Sequence, residues 1–290
     1  MKITVDTHGF KENYNDFETF KMIKDAGFDG IDYSFFGDVN HWLLKDNYIE
    51  RANELRKSLD ELQLSCEQAH APFGADDMPG GFLYGEEMTE NSPAYLEIVR
   101  SIEAASIMGV KYLVLHGITV PDNVDLEEYN LKFYKSFIPY CEKYDVKIAV
   151  ENLFTYDKKC KVYRGKFGTP KSLDNFLKKL NSDCFVICID IGHAALTGVE
   201  PQIFIDNTSS QLLKVLHIQD TDYIADRHYL PFMGELDWEA IILSLKNKNY
   251  GGNINFELPI MIEKMPPALT KSALEFSVSV GKYLIEMFNN

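Results

Sequence analysis

The run Cys184-Phe185-Val186-Ile187-Cys188-Ile189-Asp190-Ile191-Gly192-His193 decides the fold. Its first six residues are continuously apolar, the pattern of a strand covered on both faces, and such strands belong to parallel sheets. It then ends on an aspartate and a histidine. Seven other β-rich runs lie to either side. They begin at Lys2 (KITVDT), Asp29 (DGIDYSF), Gln63 (QLSCEQAH), Lys111 (KYLVLHG), Val146 (VKIAVEN), Leu212 (LLKVLHIQ) and Asn253 (NINFEL). The eight starts average about 36 residues apart, the length of one βα unit.

Helical stretches fill the intervals. Ser92-Pro93 and Thr169-Pro170 each place a capping hydroxyl before a proline at the first helical position. Asp237 likewise precedes Trp238-Glu239-Ala240-Ile241, and Pro267 to Phe288 reads as a closing helix. Eight βα units without a Gly/Ser-rich linker predict one α/β domain over 1–290, a (β/α)8 TIM barrel. A doubly wound open sheet would need a glycine-rich phosphate loop after an early strand, and none is present.

Composition agrees. The chain has 290 residues, 46% hydrophobic and 25% charged, which supplies a sizeable core and excludes disordered and fibrous classes. Its net charge of −15 repels phosphate backbones, so broad non-specific nucleic-acid binding is not expected. No apolar run approaches the ~20 residues of a membrane span, and no charged-then-apolar leader opens the sequence. Cys66, Cys141, Cys160, Cys184 and Cys188 are scattered without a CxxC pair. They read as reduced thiols of a cytoplasmic protein, with Cys184 and Cys188 as buried core.

The ionisable residues gather at one end of these units. His8, His70, His116, His193 and His217 each fall within about three residues of a predicted strand's C-terminal end, the face where barrel enzymes place their sites. Glu151 ends the fifth strand, Asp190 the sixth and Glu257 the eighth, while Asp226 and His228 sit in the loop after the seventh. Like charges at this density cost several kcal/mol unless a cation neutralises them, so the cluster implies a bound divalent metal. Glu151, Asp190, His217 and Glu257 alone form a mostly oxygen site suited to Mn²⁺, Mg²⁺ or Co²⁺. Adding His70, His116, His193, Asp226 and His228 makes the surroundings nitrogen-rich, which favours Zn²⁺. One ion or several remain open at this point.

Glu151-Asn152, Asp190-x-x-His193, His217-Ile-Gln-Asp, Asp226-x-His228 with Pro231, Gly234 and Asp237-Trp238, and Phe256-Glu257 together resemble the xylose isomerase-like TIM barrels. That superfamily includes sugar phosphate isomerases and epimerases, ketose 3-epimerases, dehydratases and endonuclease IV. Resemblance to the ketose epimerases implies that Glu151, Asp190, His217 and Glu257 hold one Mn²⁺ or related ion. It makes the two glutamates the catalytic acid/base pair and His193 a substrate contact. His228 stands where those epimerases carry an arginine, so recognition of the sugar hydroxyls differs. Resemblance to endonuclease IV instead gives a residue of the right type at each of nine zinc ligands: His70, His116, Glu151, Asp190, His193, His217, Asp226, His228 and Glu257. The segment between His217 and Asp226 is shorter here and lacks the lysine and serine associated with phosphate contacts there.

The favoured expectation is a metal-dependent sugar or sugar-phosphate isomerase or epimerase. Lewis-acid stabilisation of a cis-enediolate would let a glutamate of ordinary basicity remove the proton between carbonyl and hydroxyl carbons. Return to the other face epimerises, and return to the neighbouring carbon isomerises. Loss of a β-hydroxyl would give a dehydratase, and zinc-dependent cleavage of abasic DNA is the alternative reading. The expected partner is a small carbohydrate, with association into a homo-oligomer left open. Two long connections follow strand C-termini, Ala71 to Gly85 and Asn152 to Gly168, and read as lids. Trp42, Phe73, Phe35, Phe36, Phe154 and Tyr156 are candidate apolar walls. His228 and Arg227 join His193 as substrate contacts, and the basic run Lys158 to Lys166 is a candidate phosphate or carboxylate binder.

Overall fold

A computed structural model of the chain describes residues 1–10, 13–35, 42–72, 90, 92–120, 124–157 and 159–290. The barrel strands are β1 (Ile3–Asp6), β2 (Gly30–Ser34), β3 (Ser65–His70), β4 (Tyr112–Leu115), β5 (Lys147–Glu151), β6 (Phe185–Asp190), β7 (Leu213–His217) and β8 (Ile254–Phe256). Consecutive strands pair in parallel from β1 to β7, and β1 also pairs with β8. Only β7 and β8 remain to be joined, and one bridge between Ile218 and Phe256 joins them. Ile218 N donates to Asn255 O at 2.8 Å and Glu257 N to Ile218 O at 3.1 Å. The fold is a (β/α)8 barrel.

Helix boundaries follow from local chemistry. The helix Pro93–Met108 begins where the Ser92 hydroxyl accepts from Tyr95 N. Pro170–Leu180 begins at a capping box built from Thr169 and Ser172, and Trp238–Asn247 begins where Asp237 accepts from Ala240 N. The closing helix runs Pro267–Asn289.

Strand alternation explains why the site sits at one end. Inward positions recur every second residue. Ala149 and Glu151, Val186, Cys188 and Asp190, and Val215 and His217 are therefore successive steps up the same inner rows. The lower steps Val114, Ala149, Val186, Cys188 and Val215 form a small apolar cluster of their own. The other half of the interior is polar. Gln68 Nε2 and Asn255 Nδ2 donate to Asp32 Oδ2, and Thr4 Oγ1 donates to Asn255 Oδ1.

The connection Asn152 to Gly168, expected from its sequence to be a long loop, is instead an antiparallel hairpin in which Leu153–Asp157 pairs with Val162–Lys166. Asp157 shapes its turn by accepting from the backbone N–H groups of Lys159 and Cys160, and Lys161 has a positive φ of 55°. The lysine-rich tip masks two short runs of alternating aromatic and polar residues. Most of the other long connection, with Phe73, lies outside the described residues, as do Phe36 and His41. All five cysteines are free thiols, with Cys184 and Cys188 buried and Cys160 exposed. Among the described residues no helix is long and apolar enough to cross a membrane.

Candidate metal centre

The strand ends bring the predicted ligands together. Glu151, the last residue of β5, is 1% exposed and lies at the centre. Its Oε2 is 2.9 Å from His116 Nε2 and 3.8 Å from His70 Nε2; its Oε1 is 3.3 Å from both His193 Nδ1 and His217 Nδ1. Asp190 ends β6, caps the helix Ile191–Leu196 through His193 N at 2.6 Å, and accepts from Gln219 Nε2 at 3.1 Å. Glu257 follows β8, with Oε2 3.5 Å from His217 Nδ1 and 3.7 Å from His228 Nδ1. Asp226 Oδ2 is 3.1 Å from His228 Nε2 and 3.6 Å from His193 Nε2.

Three groups present donor atoms close enough to share an ion: His70, His116 and Glu151; Glu151, Asp190 and His193; and Asp190, His217 and Glu257. Neighbouring groups share Glu151 and Asp190, so the donors form a chain along the barrel mouth. The residues fit a divalent cation on a second count. Glu257 Oε2 is buried without a hydrogen-bond partner, a costly arrangement for an anionic oxygen unless a cation meets it.

Three histidines are oriented by backbone carbonyls, which can only accept. His70 Nδ1 donates to Ala71 O at 2.8 Å, His193 Nδ1 to Asn152 O at 3.1 Å and His228 Nδ1 to Glu257 O at 3.2 Å. His70 Nε2 is thereby turned toward Glu151, and the Nε2 atoms of His193 and His228 toward Asp226 Oδ2, each able to present a lone pair to a cation. Asn152 is itself locked, because its side chain both donates to Asp190 O and accepts from Asp190 N.

The electrostatics show how strongly this cluster demands positive charge. Burial alone would raise the Glu151 carboxyl, but His217 and His116 beside it hold it well below the usual range. Burial pushes Glu257 up to about 8, with Asp190 and Glu151 adding to the rise against His217 and His228. Burial disfavours charge on His228, yet Asp226 and Glu257 lift it to about 10. Asp190 and Asp226 likewise raise His193 against burial. Protons on these imidazoles are one source of compensating charge, and a divalent cation is another.

A cavity of about 350 Å³ opens on the centre, lined by His8, His70, His116, Glu151, Leu153, Phe154, His193, Asp226, His228, Glu257, Pro259, Ile260 and Glu263. No lysine or arginine is among these lining residues. Phe154 of the hairpin packs edge-on against the His193 ring, centroids 4.9 Å apart. Other sequence candidates stand elsewhere. Trp42 packs on the buried Phe35 at 6.0 Å, and neither lines this cavity. Arg227 is held by Asp222 at 2.8 Å, and Arg164 of the basic run is held by Asp157 in solvent. Tyr156 is 45% exposed on the hairpin. The sequence reading passed over Asp6, Asp32, Gln219 and Glu263. The first two carry the visible signal of a carboxylate on an inward row of a β-rich run.

The loop bearing Asp226 and His228 depends on Asp220. Its Oδ2 accepts from Trp238 Nε1 at 2.8 Å and Phe232 N at 2.9 Å, and its Oδ1 from Thr221 N at 2.8 Å and Leu236 N at 3.2 Å. Gly234 packs so close that a Cβ there would lie 2.3 Å from Asp220 Oδ1. Asp220→Asn turns one acceptor into a donor facing N–H groups, and should cost about 2–4 kcal/mol of stability. Urea unfolding checks this, and an unchanged midpoint and slope would refute the anchoring role.

Comparisons with known proteins agree on the fold. An uncharacterised protein of Sinorhizobium fredii, y4fM, is 27% identical over 263 residues, 82% of this chain and 79% of that one. The structure of a D-psicose 3-epimerase with D-tagatose, from Clostridium cellulolyticum, superposes with a TM-score of 0.74 at 13% identity, covering 98% of this chain and 99% of that one. A protein named IolI with a bound zinc atom superposes with a TM-score of 0.69 at 17% identity, covering 99% and 98%. The family model of the xylose isomerase-like TIM barrel matches residues 20–279, nearly the full length and every barrel strand from β2 to β8. A match over that much of a (β/α)8 barrel shows that the chain belongs to the xylose isomerase-like TIM barrel family.

Proposed function

We propose that the chain is a divalent-metal-dependent isomerase or epimerase of a keto sugar, folded as one domain over 1–290 and working in the cytoplasm. One observation carries the reading: Glu151 from β5 and Glu257 from the end of β8 reach the same imidazole, 3.3 and 3.5 Å from His217 Nδ1. Two carboxylates facing one cavity can remove a proton on one face of a substrate carbon and return it on the other. Asp190, His217 and the two glutamates would hold the ion, with Mn²⁺, Mg²⁺, Co²⁺ and Zn²⁺ as candidates. A bound divalent cation would supply Lewis-acid stabilisation to the adjacent oxygens of the sugar. His193 and His228 reach the cavity as hydrogen-bonding groups for hydroxyls, and Phe154 offers an apolar wall to C–H groups. The sugar epimerase and zinc-bearing neighbours support the same reading, and the absence of lysine and arginine among the described lining residues suits a neutral sugar better than its phosphate. Proton removal followed by loss of a β-hydroxyl would make the same residues a dehydratase.

The His70–His116–Glu151 group favours a second reading, a multi-zinc phosphodiesterase on abasic DNA, because it supplies ligands for an ion the sugar chemistry does not need. One experiment separates the two. The metal-loaded chain is incubated with keto sugars and their phosphates in heavy water and followed by NMR, and separately with an abasic-site duplex. Deuterium incorporation beside the carbonyl supports the first reading; incision of the duplex without exchange replaces it with the second.

Chelation tests the metal directly. A cation at 100 times its dissociation constant adds about 2.7 kcal/mol, so a chelator should lower the melting temperature of this chain by roughly 4 °C and abolish turnover. Unchanged melting and full activity in chelator would remove the metal from the account.

A further inference from the structure

We propose that Asp32 positions His217 for the cation by taking the proton side of its ring, an inference that rests on the metal-dependent reading above. His70, His193 and His228 each give Nδ1–H to a backbone carbonyl. His217 is turned the other way. Its Nδ1 faces Glu151 Oε1 at 3.3 Å and Glu257 Oε2 at 3.5 Å, while its Nε2 faces Asp32 Oδ2 at 3.5 Å. Nδ1 can serve a cation only through its lone pair, so the proton of the neutral ring must sit on Nε2. Asp32 is the acceptor on that side.

The placement of Asp32 is specified by four strands. It is 1% exposed on β2. Its Oδ2 takes N–H bonds from Gln68 of β3 at 2.5 Å and Asn255 of β8 at 2.9 Å, and Asn255 is held by the Thr4 hydroxyl of β1 at 2.7 Å. Both amides point donors at the oxygen nearest His217, so that oxygen is held where an N–H can reach it. The fold has little use for this carboxylate on its own account. Asp32 lies beside Asp6 in register, and each has an Oδ1 that is buried without a partner. Two such groups side by side oppose folding. A residue kept only for stability should not look like this, whereas a carboxylate behind a metal-binding imidazole raises its basicity and fixes its orientation.

The test is Asp32→Asn in the full chain. Wild type and variant are titrated with Mn²⁺ and with Zn²⁺ against a chromophoric chelator, and both are melted with and without EDTA. Positioning predicts metal affinity about 10–100-fold weaker, with a melting temperature in EDTA equal to or above that of wild type. A structural role predicts the reverse: lower melting in EDTA and unchanged affinity, which overturns the proposal. Should the variant not fold, Asn255→Ala and Gln68→Ala loosen the same oxygen without removing it. Each is expected to weaken the metal several-fold, and unchanged affinity in both overturns the proposal. If wild type itself binds neither metal, the metal-dependent reading falls first and this inference with it. If wild type binds and Asp32→Asn binds equally well, only the role of Asp32 is lost.

Discussion

Glu257→Gln should lower turnover by about 10²–10⁴-fold, the range typical for loss of a general acid–base group, in a chain that still folds and still holds metal. Glu257 suits this substitution. Its Oε2 makes no hydrogen bond that an amide would break, and its side chain, 17% exposed, faces the cavity. Glutamine keeps the length and one oxygen donor but has no carboxylate to carry a proton. Burial, with Asp190 and Glu151 nearby, pushes Glu257 up to about 8, whereas Glu151 is held well below its ordinary range. The two carboxyls therefore sit in different electrostatic surroundings, Glu151 among imidazoles and Glu257 beside other carboxylates. Deuterium exchange into the keto sugar, measured alongside metal content, checks the expectation. Full metal with wild-type exchange in Glu257→Gln would sink the two-carboxylate mechanism.

The candidate ligands were legible because each interrupts an apolar run at its end: Glu151 after Ile148-Ala149-Val150, Asp190 after Val186 to Ile189, His217 after Val215-Leu216. A parallel barrel sends those ends to one face, so separate strand ends became one candidate site. The second layer was harder to see. Asp32 belongs with Gln68 and Asn255, which lie 36 and 223 residues away in sequence, and only barrel closure makes them neighbours. Asp220 reads as a polar letter in a loop, yet its donors are fixed by how Phe232, Leu236 and Trp238 fold back on it. Trp42 and Arg227 failed to reach the cavity for the opposite reason. Proximity in sequence to a strand end does not decide which way a loop turns its side chains, and both found partners of their own in Phe35 and Asp222.

Glu151→Gln should be more damaging than Glu257→Gln, removing metal as well as the base. Both Glu151 oxygens are engaged, Oε2 with His116 at 2.9 Å and Oε1 with His193 and His217 at 3.3 Å. An amide must turn its NH₂ toward one of these sets, and the imidazoles there lose their only shared anion. Because Glu151 belongs to two of the three donor groups, the variant should lose at least one ion per chain together with measurable turnover. The double change His70→Ala with His116→Ala isolates the outer group. It leaves Asp190, His217 and Glu257 intact, so under the sugar reading proton exchange should stay within about tenfold of wild type. Metal analysis of the same samples reports whether an outer ion was present to be lost. A double variant as inactive as Glu151→Gln, with that ion gone, would make the outer group part of the chemistry. The zinc phosphodiesterase reading would then account for the chain better than a keto-sugar isomerase.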